Sequence, residues 1–146
     1  MEPLDLSRSA PRPTRDMIAG VMFLPRTIDK LRGELPGGNL NRYLTDYDRG
    51  FTSYVMYKLG IKLDDLRAVI ASASTEDEVV AWLTERIDPV KGPAINARLE
   101  GMRVDSMQPE DRALLFERHP NVSPGDHDLV IDVVDAEDQA IGSRTL

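Results

Sequence analysis

The sequence contains no cysteine among its 146 residues. This absence excludes disulfides, thiolate metal sites and cysteine nucleophiles, and it fits a reducing compartment. No apolar stretch approaches the roughly 20 residues that a membrane-spanning helix requires. The first residues, MEPLDLSRSAPRPTR, also lack the basic start and apolar centre of a secretory signal peptide. We therefore expect a soluble, cytoplasmic protein that does not use a membrane as a partner.

Catalytic motifs are absent as well. The sequence has no G-x-S-x-G nucleophile elbow and no G-x-x-x-x-G-K-[ST] or G-x-G-x-x-G phosphate loop. Its two histidines, His119 and His127, flank an acidic loop with Asp126 and Asp128, and imidazole with carboxylate can hold a divalent metal. Neither histidine, however, lies one helical turn from another ligand. We expect no metal and no cofactor, and we expect both histidines to be solvent-exposed at helix ends.

The net charge limits the kinds of partner that the protein is expected to bind. The formal net charge of −7 repels the phosphates of nucleic acids and acidic membranes, so we expect no nucleic-acid partner. A chain of 146 residues with 41% hydrophobic residues has the size and composition of one globular domain with its own core.

Apolar spacing predicts an all-α fold. Residues 1–13 contain three prolines, which favour extended backbone, and they are predicted to form a proline-rich N-terminal arm. Residues 14–146 are predicted to form a single helical domain, because apolar residues recur at three- and four-residue steps. Thr14 is the expected N-cap of the first helix. Pro25 either kinks this helix or begins a second one, and we favour the second alternative.

Capping and stop signals predict the next helices. Asp48 is the expected N-cap of a helix that ends at Leu59, and Gly60 supplies a left-handed stop. Ser74 and Asp77 match a capping box before a further helix. Together with similar segments later in the chain, the pattern predicts six or seven short helices packed around one core.

The segment 129–134, LVIDVV, can be read as a buried strand or as a helix. Upstream, Ser123, Pro124 and Asp126 match the N-cap, first-turn proline and early acid of a helix. A lone strand would also lack a partner. We therefore predict a helix that begins near Ser123.

One group of polar residues is a candidate ligand site. Its members are Arg26, Asp29, Lys30, Tyr43, Tyr47 and Asp48. The first three share one helical face, and the others follow in a tyrosine-rich segment. Such cations, acids and phenols can line a polar cleft and bind an anion. Alternatively, the charged residues form solvated surface ion pairs worth ~0–1 kcal/mol each, and the tyrosines cover the core edge.

Three large amphipathic side chains, Tyr54, Tyr57 and Trp82, form a candidate interface. Tyrosine and tryptophan are common in partner interfaces, although they also complete the edges of cores.

Four stretches of the chain carry a family resemblance. They are LDLSRSAPRPTRD, LPRTIDKLR, LTDYDRGFTSYVMYKLGI and STEDEVVAWL. They resemble the bacterial domain-of-unknown-function family 5069, closely over residues 4–90 and loosely beyond. The matching positions are Arg26, Ile28, Asp29, Lys30, Asp48, Gly60, Asp77 and Trp82. The resemblance implies the family's fold and a bacterial cytosolic setting, and the family supplies no activity to transfer.

Two functions follow as expectations. The preferred one is a non-enzymatic helical module that binds a protein partner or a second copy of itself. The alternative is a small-ligand binding protein, specific for an anion, or an enzyme, using Arg26, Asp29 and Lys30 with Tyr47 and Asp48. The two differ in whether the polar face is open and concave or covered by packed chain.

Overall fold

The computed structural model describes residues 1–45 and 50–144. These residues form a two-stranded sheet, seven α-helices and one 3-10 turn, and 55% of the chain is helical. The elements are β1 (Met17–Ile18), β2 (Val21–Met22), α1 (Leu24–Gly33), α2 (Phe51–Leu59), α3 (Leu63–Ser72), α4 (Glu76–Arg86), α5 (Lys91–Gly101), the 3-10 turn (Val104–Ser106), α6 (Pro109–Arg118) and α7 (Val130–Arg144). The mostly helical prediction is confirmed, but a purely all-α fold is wrong.

The departure from an all-α fold is a β-hairpin. Strands β1 and β2 pair antiparallel, with Met17 opposite Met22 and Ile18 opposite Val21. The two residues between them, Ala19 and Gly20, have φ of 52° and 76°. Two successive left-handed residues give the turn that joins antiparallel strands tightly, and they cannot continue an α-helix. The helix predicted from Thr14 is therefore wrong.

Helix α1 begins where the sequence predicts a new helix. Pro25 lies in its first turn, where a missing N–H breaks no helical hydrogen bond. Every residue from 24 to 31 is buried, so the helix is covered by other parts of the chain on all of its sides. Its apolar residues, including Leu24, Ile28 and Leu31, belong to the core.

Helices α2 and α4 differ in how well their ends match the sequence signals. Gly60 ends α2 in the left-handed conformation, with φ of 69°, and the N–H of Ile61 donates to the carbonyl of Met56 over 3.1 Å, as predicted. The predicted N-cap, Asp48, lies outside the described residues. Helix α4 begins after Thr75, and the Glu78 carboxylate accepts the N–H of Ser74 at 3.0 Å. The predicted capping box of Ser74 and Asp77 is therefore wrong by one residue, because the N-cap is Thr75 and the acid three residues later is Glu78.

The chain divides into two compact units, Met1–Asn96 and the residues from Ala97 onward. In the first unit, Leu4 and Leu6 near the start of the chain are held to the end of α1 and to the segment that follows it. The N–H of Leu4 donates to the carbonyl of Arg32 at 3.2 Å. The N–H of Leu6 donates to the carbonyl of Asn39 at 2.9 Å. Leu6 is buried, so this segment contributes to the core of the first unit.

In the second unit, segment 129–134 is helical from Val130, which confirms the predicted secondary structure. The start predicted near Ser123 is wrong. Ser123 instead accepts the N–H of Asp126 at 3.2 Å in a turn, and Leu129 forms an isolated bridge with Arg103. A residue engaged in a bridge has extended backbone, so the helix begins only after it.

Candidate functional site at helix α1

The three charged residues predicted on α1 are buried. Arg26, Asp29 and Lys30 expose only 4%, 6% and 6% of their surfaces. Their interpretation as solvated surface ion pairs therefore does not hold. Charged side chains are almost never buried to this degree unless they are paired. The packing around each of them defines what the site can do.

Asp29 is the acceptor for an arginine that lies 17 residues earlier. Its carboxylate accepts the backbone N–H of Arg12 at 2.8 Å, and it accepts Nε and Nη2 of the same residue at 3.0 and 2.9 Å. A guanidinium and a carboxylate joined in this two-pronged way form one of the strongest ion pairs in proteins. This pair could not be predicted from the sequence, because Arg12 lies in the segment predicted as an arm.

Arg12 also reaches Glu76, the first residue of α4. Its Nη1 donates to Oε2 of Glu76 at 3.1 Å, and its Nη2 donates to Oε1. Burial lowers the pKa of Arg12, but the hydrogen bonds with Glu76 and Asp29 outweigh that effect and raise it above its usual value. Arg12 therefore stays charged at every physiological pH. We call the group of Arg12, Arg26, Asp29, Lys30 and Glu76 the α1 polar cluster.

Arg26 lies against two aromatic rings. Its guanidinium carbon is 5.7 Å from the ring centre of Phe23 and 5.5 Å from that of Tyr43. Its Nη1 donates to the carbonyl of Arg12 at 3.4 Å. Cation–π contacts of this kind attract the guanidinium to the rings. The structure thus places the ring of Tyr43 beside Arg26.

Lys30 is held one helical turn further along α1. Its Nζ donates to Oγ1 of Thr52 at 2.8 Å and to the carbonyl of Leu44 at 3.0 Å. The same ammonium lies 5.3 Å from the ring centre of Phe23. One aromatic ring therefore faces both buried cations of α1.

Phe23 occupies an unusual backbone conformation for an aromatic residue, with φ of 76°. Strain of this kind costs about 1–3 kcal/mol and persists only where the surroundings impose it. Here the N–H of Phe23 donates to the carbonyl of Thr14, and its own carbonyl accepts the N–H and the hydroxyl of Thr27, each at 2.9 Å. The conformation places the ring beside Arg26 and Lys30 and packs it edge-on against Phe51.

The remaining predicted residues are Tyr47, Asp48, Tyr54, Tyr57 and Trp82. Tyr47 and Asp48 lie outside the described residues. Of the candidate interface, Tyr57 on α2 is 80% exposed, and Tyr54 on the same helix is half-buried with Nζ of Lys58 at 5.8 Å from its ring centre. Trp82 on α4 is half-buried beneath the guanidinium of Arg86, at 4.2 Å.

The two histidines lie directly after α6 and in the loop that precedes α7. In residues 1–45 and 50–144, no three or more His, Asp or Glu residues are grouped so that they can hold a metal ion. His119 is half-buried, with Nδ1 at 2.6 Å from the carbonyl of Leu115, and His127 is also half-buried. The expected solvent exposure is therefore only partial at both histidines, while His119 does lie at a helix end, directly after α6. No helix within the described part of the chain has both the length and the apolar character needed to cross a membrane.

The chemistry of the α1 polar cluster is that of ion pairing and hydrogen bonding. Guanidinium and ammonium groups donate strong hydrogen bonds to carboxylates and phosphates. Asp29 and Glu76 orient Arg12, while aromatic rings and carbonyls orient Arg26 and Lys30. Where the structure describes the chain, each buried side-chain nitrogen and oxygen has a hydrogen-bond partner.

The chain was compared with protein families and with curated proteins. No curated protein matches the chain. The family described as Domain of unknown function (DUF5069) matches residues 8–140, which include every residue of the α1 polar cluster and nearly the whole chain. The chain therefore belongs to this family.

Proposed function

We propose that the protein binds a small anionic ligand, a carboxylate or a phosphate, at the α1 polar cluster. The observation that carries this proposal is a group of three cations of which one is open to solvent. Packed chain covers Arg26 and Lys30, which are 4% and 6% exposed, whereas the side chain of Arg12 in the same cluster is 35% exposed. Removing a cation from water is unfavourable, and a folded domain gains as much stability from apolar side chains in such places. Stability alone therefore does not account for these buried charges, and a binding role does.

The rigidity of the cationic groups supports the proposal. Arg26 is fixed by the rings of Phe23 and Tyr43, and Lys30 is fixed by Thr52 and a backbone carbonyl. Donors held in place before a ligand arrives lose little conformational entropy on binding, so they bind more tightly than mobile ones. The strained backbone of Phe23 supports the same interpretation, because strain is found disproportionately at ligand sites.

A thermal-shift series with inorganic phosphate tests the proposal, with chloride as the reference at constant ionic strength. At a phosphate concentration near 100 times Kd, binding adds about 2.7 kcal/mol, and the unfolding midpoint should rise by roughly 5–10 °C. Arg12→Lys keeps the charge but removes the planar fork of donors that solvent can reach, so the rise should largely disappear. The matched control is Arg98→Lys at an exposed position of α5, where the rise should be unchanged. If phosphate, sulfate and acetate all leave the parent's midpoint unmoved, the proposal is wrong.

A non-enzymatic interaction module is the second candidate function, and the exposure of Tyr57 favours it. An aromatic side chain that is 80% exposed on a helix is the kind of residue that anchors protein interfaces, and Trp82 beneath Arg86 adds a second group of this type on α4. The partner in this proposal is another protein or a second copy of the chain.

Light scattering over a range of protein concentrations tests self-association. If Tyr57 anchors a dimer, Tyr57→Ser should raise the dimer dissociation constant at least tenfold, since truncating an interface anchor costs about 2 kcal/mol or more. Val90, which is equally exposed, supplies the control Val90→Ser, and this variant should associate like the parent. A parent that stays monomeric at millimolar concentration, or equal effects of both substitutions, would contradict Tyr57-mediated self-association.

A further inference from the structure

Arg12 holds two carboxylates at once. Its Nε and Nη2 donate to Asp29, and its Nη1 and Nη2 donate to Glu76. The two carboxylates differ in their contact with solvent, because the Asp29 side chain is 8% exposed and that of Glu76 is 34% exposed. The guanidinium therefore has an inner edge that is buried and an outer edge that solvent can reach.

We propose that the outer edge of Arg12 is where the ligand anion joins the α1 polar cluster, and that Glu76 occupies this edge as an internal competitor. This inference rests on the proposed anion-binding function. A carboxylate or phosphate offers the same pair of oxygens as Glu76, so it can replace Glu76 on the two outer donors without changing their geometry.

The pairing with Asp29 makes exchange at the inner edge unfavourable. Asp29 is buried, and it also accepts the backbone N–H of Arg12, so its displacement would leave a buried donor unsatisfied. Glu76 has no such additional bond to Arg12, and its half-exposed carboxylate can return to water when it is displaced. Asp29 therefore positions Arg12, while Glu76 regulates access to it.

The test is the phosphate thermal-shift series on the parent, Glu76→Gln and Asp77→Asn, with acetate as a second arm. Glu76→Gln removes the competing charge while it keeps the size of the side chain. Asp77→Asn removes the same charge from the exposed neighbouring residue on α4 and serves as the matched control. The phosphate-induced rise should be larger in Glu76→Gln than in the parent, by a factor of two or more at subsaturating phosphate, and Asp77→Asn should match the parent.

The outcomes separate this inference from the proposed function. Equal rises in the parent and Glu76→Gln overturn the competitor role and leave anion binding intact. An equal gain in Asp77→Asn overturns it as well, because it shows a general charge effect. No rise in any of the three proteins overturns both proposals.

A second measurement covers the case in which Glu76→Gln does not fold. In the parent, phosphate should shift the NMR signal of the Arg12 Nε–H, which lies in the guanidinium that exchanges partners. The Nε–H of Arg32, which donates to the carbonyl of Glu2, is the reference and should not move. An Arg12 signal that stays in place while the parent's midpoint rises would overturn the assignment of Arg12 as the ligand's contact.

Discussion

Replacing Asp29 with alanine is expected to lower the free energy of unfolding by about 2–4 kcal/mol. The substitution removes a buried carboxylate that accepts three N–H groups of Arg12, one of them from the backbone. The backbone N–H and Nε of Arg12 then lose their charged acceptor on the buried side, while Nη1 and Nη2 keep Glu76. Thermal or urea unfolding measures the change, and the midpoint should fall by roughly 5–15 °C.

The exposed Asp77 provides the control for the Asp29 experiment. Asp77→Ala removes the same charge from a residue on the surface, and it should change stability by no more than about 0.5 kcal/mol. A double-mutant cycle with Arg12→Ala isolates the pair, and a coupling above about 1 kcal/mol is expected because the two side chains share a network. An Asp29→Ala variant as stable as the Asp77→Ala variant would show that the buried pair contributes nothing to folding.

The helices could be predicted from sequence where a local signal fixes their ends. Pro25 begins α1, and Gly60 ends α2 in the left-handed conformation that glycine adopts without strain. The hairpin could not be predicted in the same way, because Ile18, Val21 and Met22 fit a helical spacing as well as they fit two strands. The left-handed conformation at Ala19 decides between a helix and a hairpin, and alanine is not a residue that predicts this conformation.

In the candidate site, too, the features set by neighbouring residues could be predicted, and those set by contacts distant in sequence could not. Arg26, Asp29 and Lys30 could be grouped from sequence, since residues three and four apart share a helical face. Their burial could not, because the apolar pattern on α1 marks only the face that carries Ile28 and Leu31. The residues that cover the polar face come from far along the chain, with Arg12 before α1, and Thr52 and Glu76 after it. No periodicity within one helix encodes such contacts.

A buried carboxylate in the second unit plays the same structural part as Asp29. Glu137 in the middle of α7 is only 2% exposed, although its acidic neighbours Asp135 and Asp138 favour a solvated segment. Its carboxylate accepts the backbone N–H of Asn121 at 2.9 Å and the side-chain amide of the same residue at 2.7 Å. In both units an acid on a helix thus binds the backbone and the side chain of one residue in an irregular segment.

Replacing Glu137 with alanine is therefore expected to lower the free energy of unfolding by about 2–4 kcal/mol, because a part-buried N–H and an amide both lose a charged acceptor. Glu137→Gln keeps one acceptor oxygen, so its loss of stability should lie between that of Glu137→Ala and zero. Gln139→Ala, at an exposed position of the same helix, should stay within about 0.5 kcal/mol of the parent. Hydrogen exchange then localises the effect, since the amide of Asn121 should lose protection in Glu137→Ala and keep part of it in Glu137→Gln. Equal stability of Glu137→Ala and Gln139→Ala would contradict this role and would leave the burial of Glu137 without an energetic consequence.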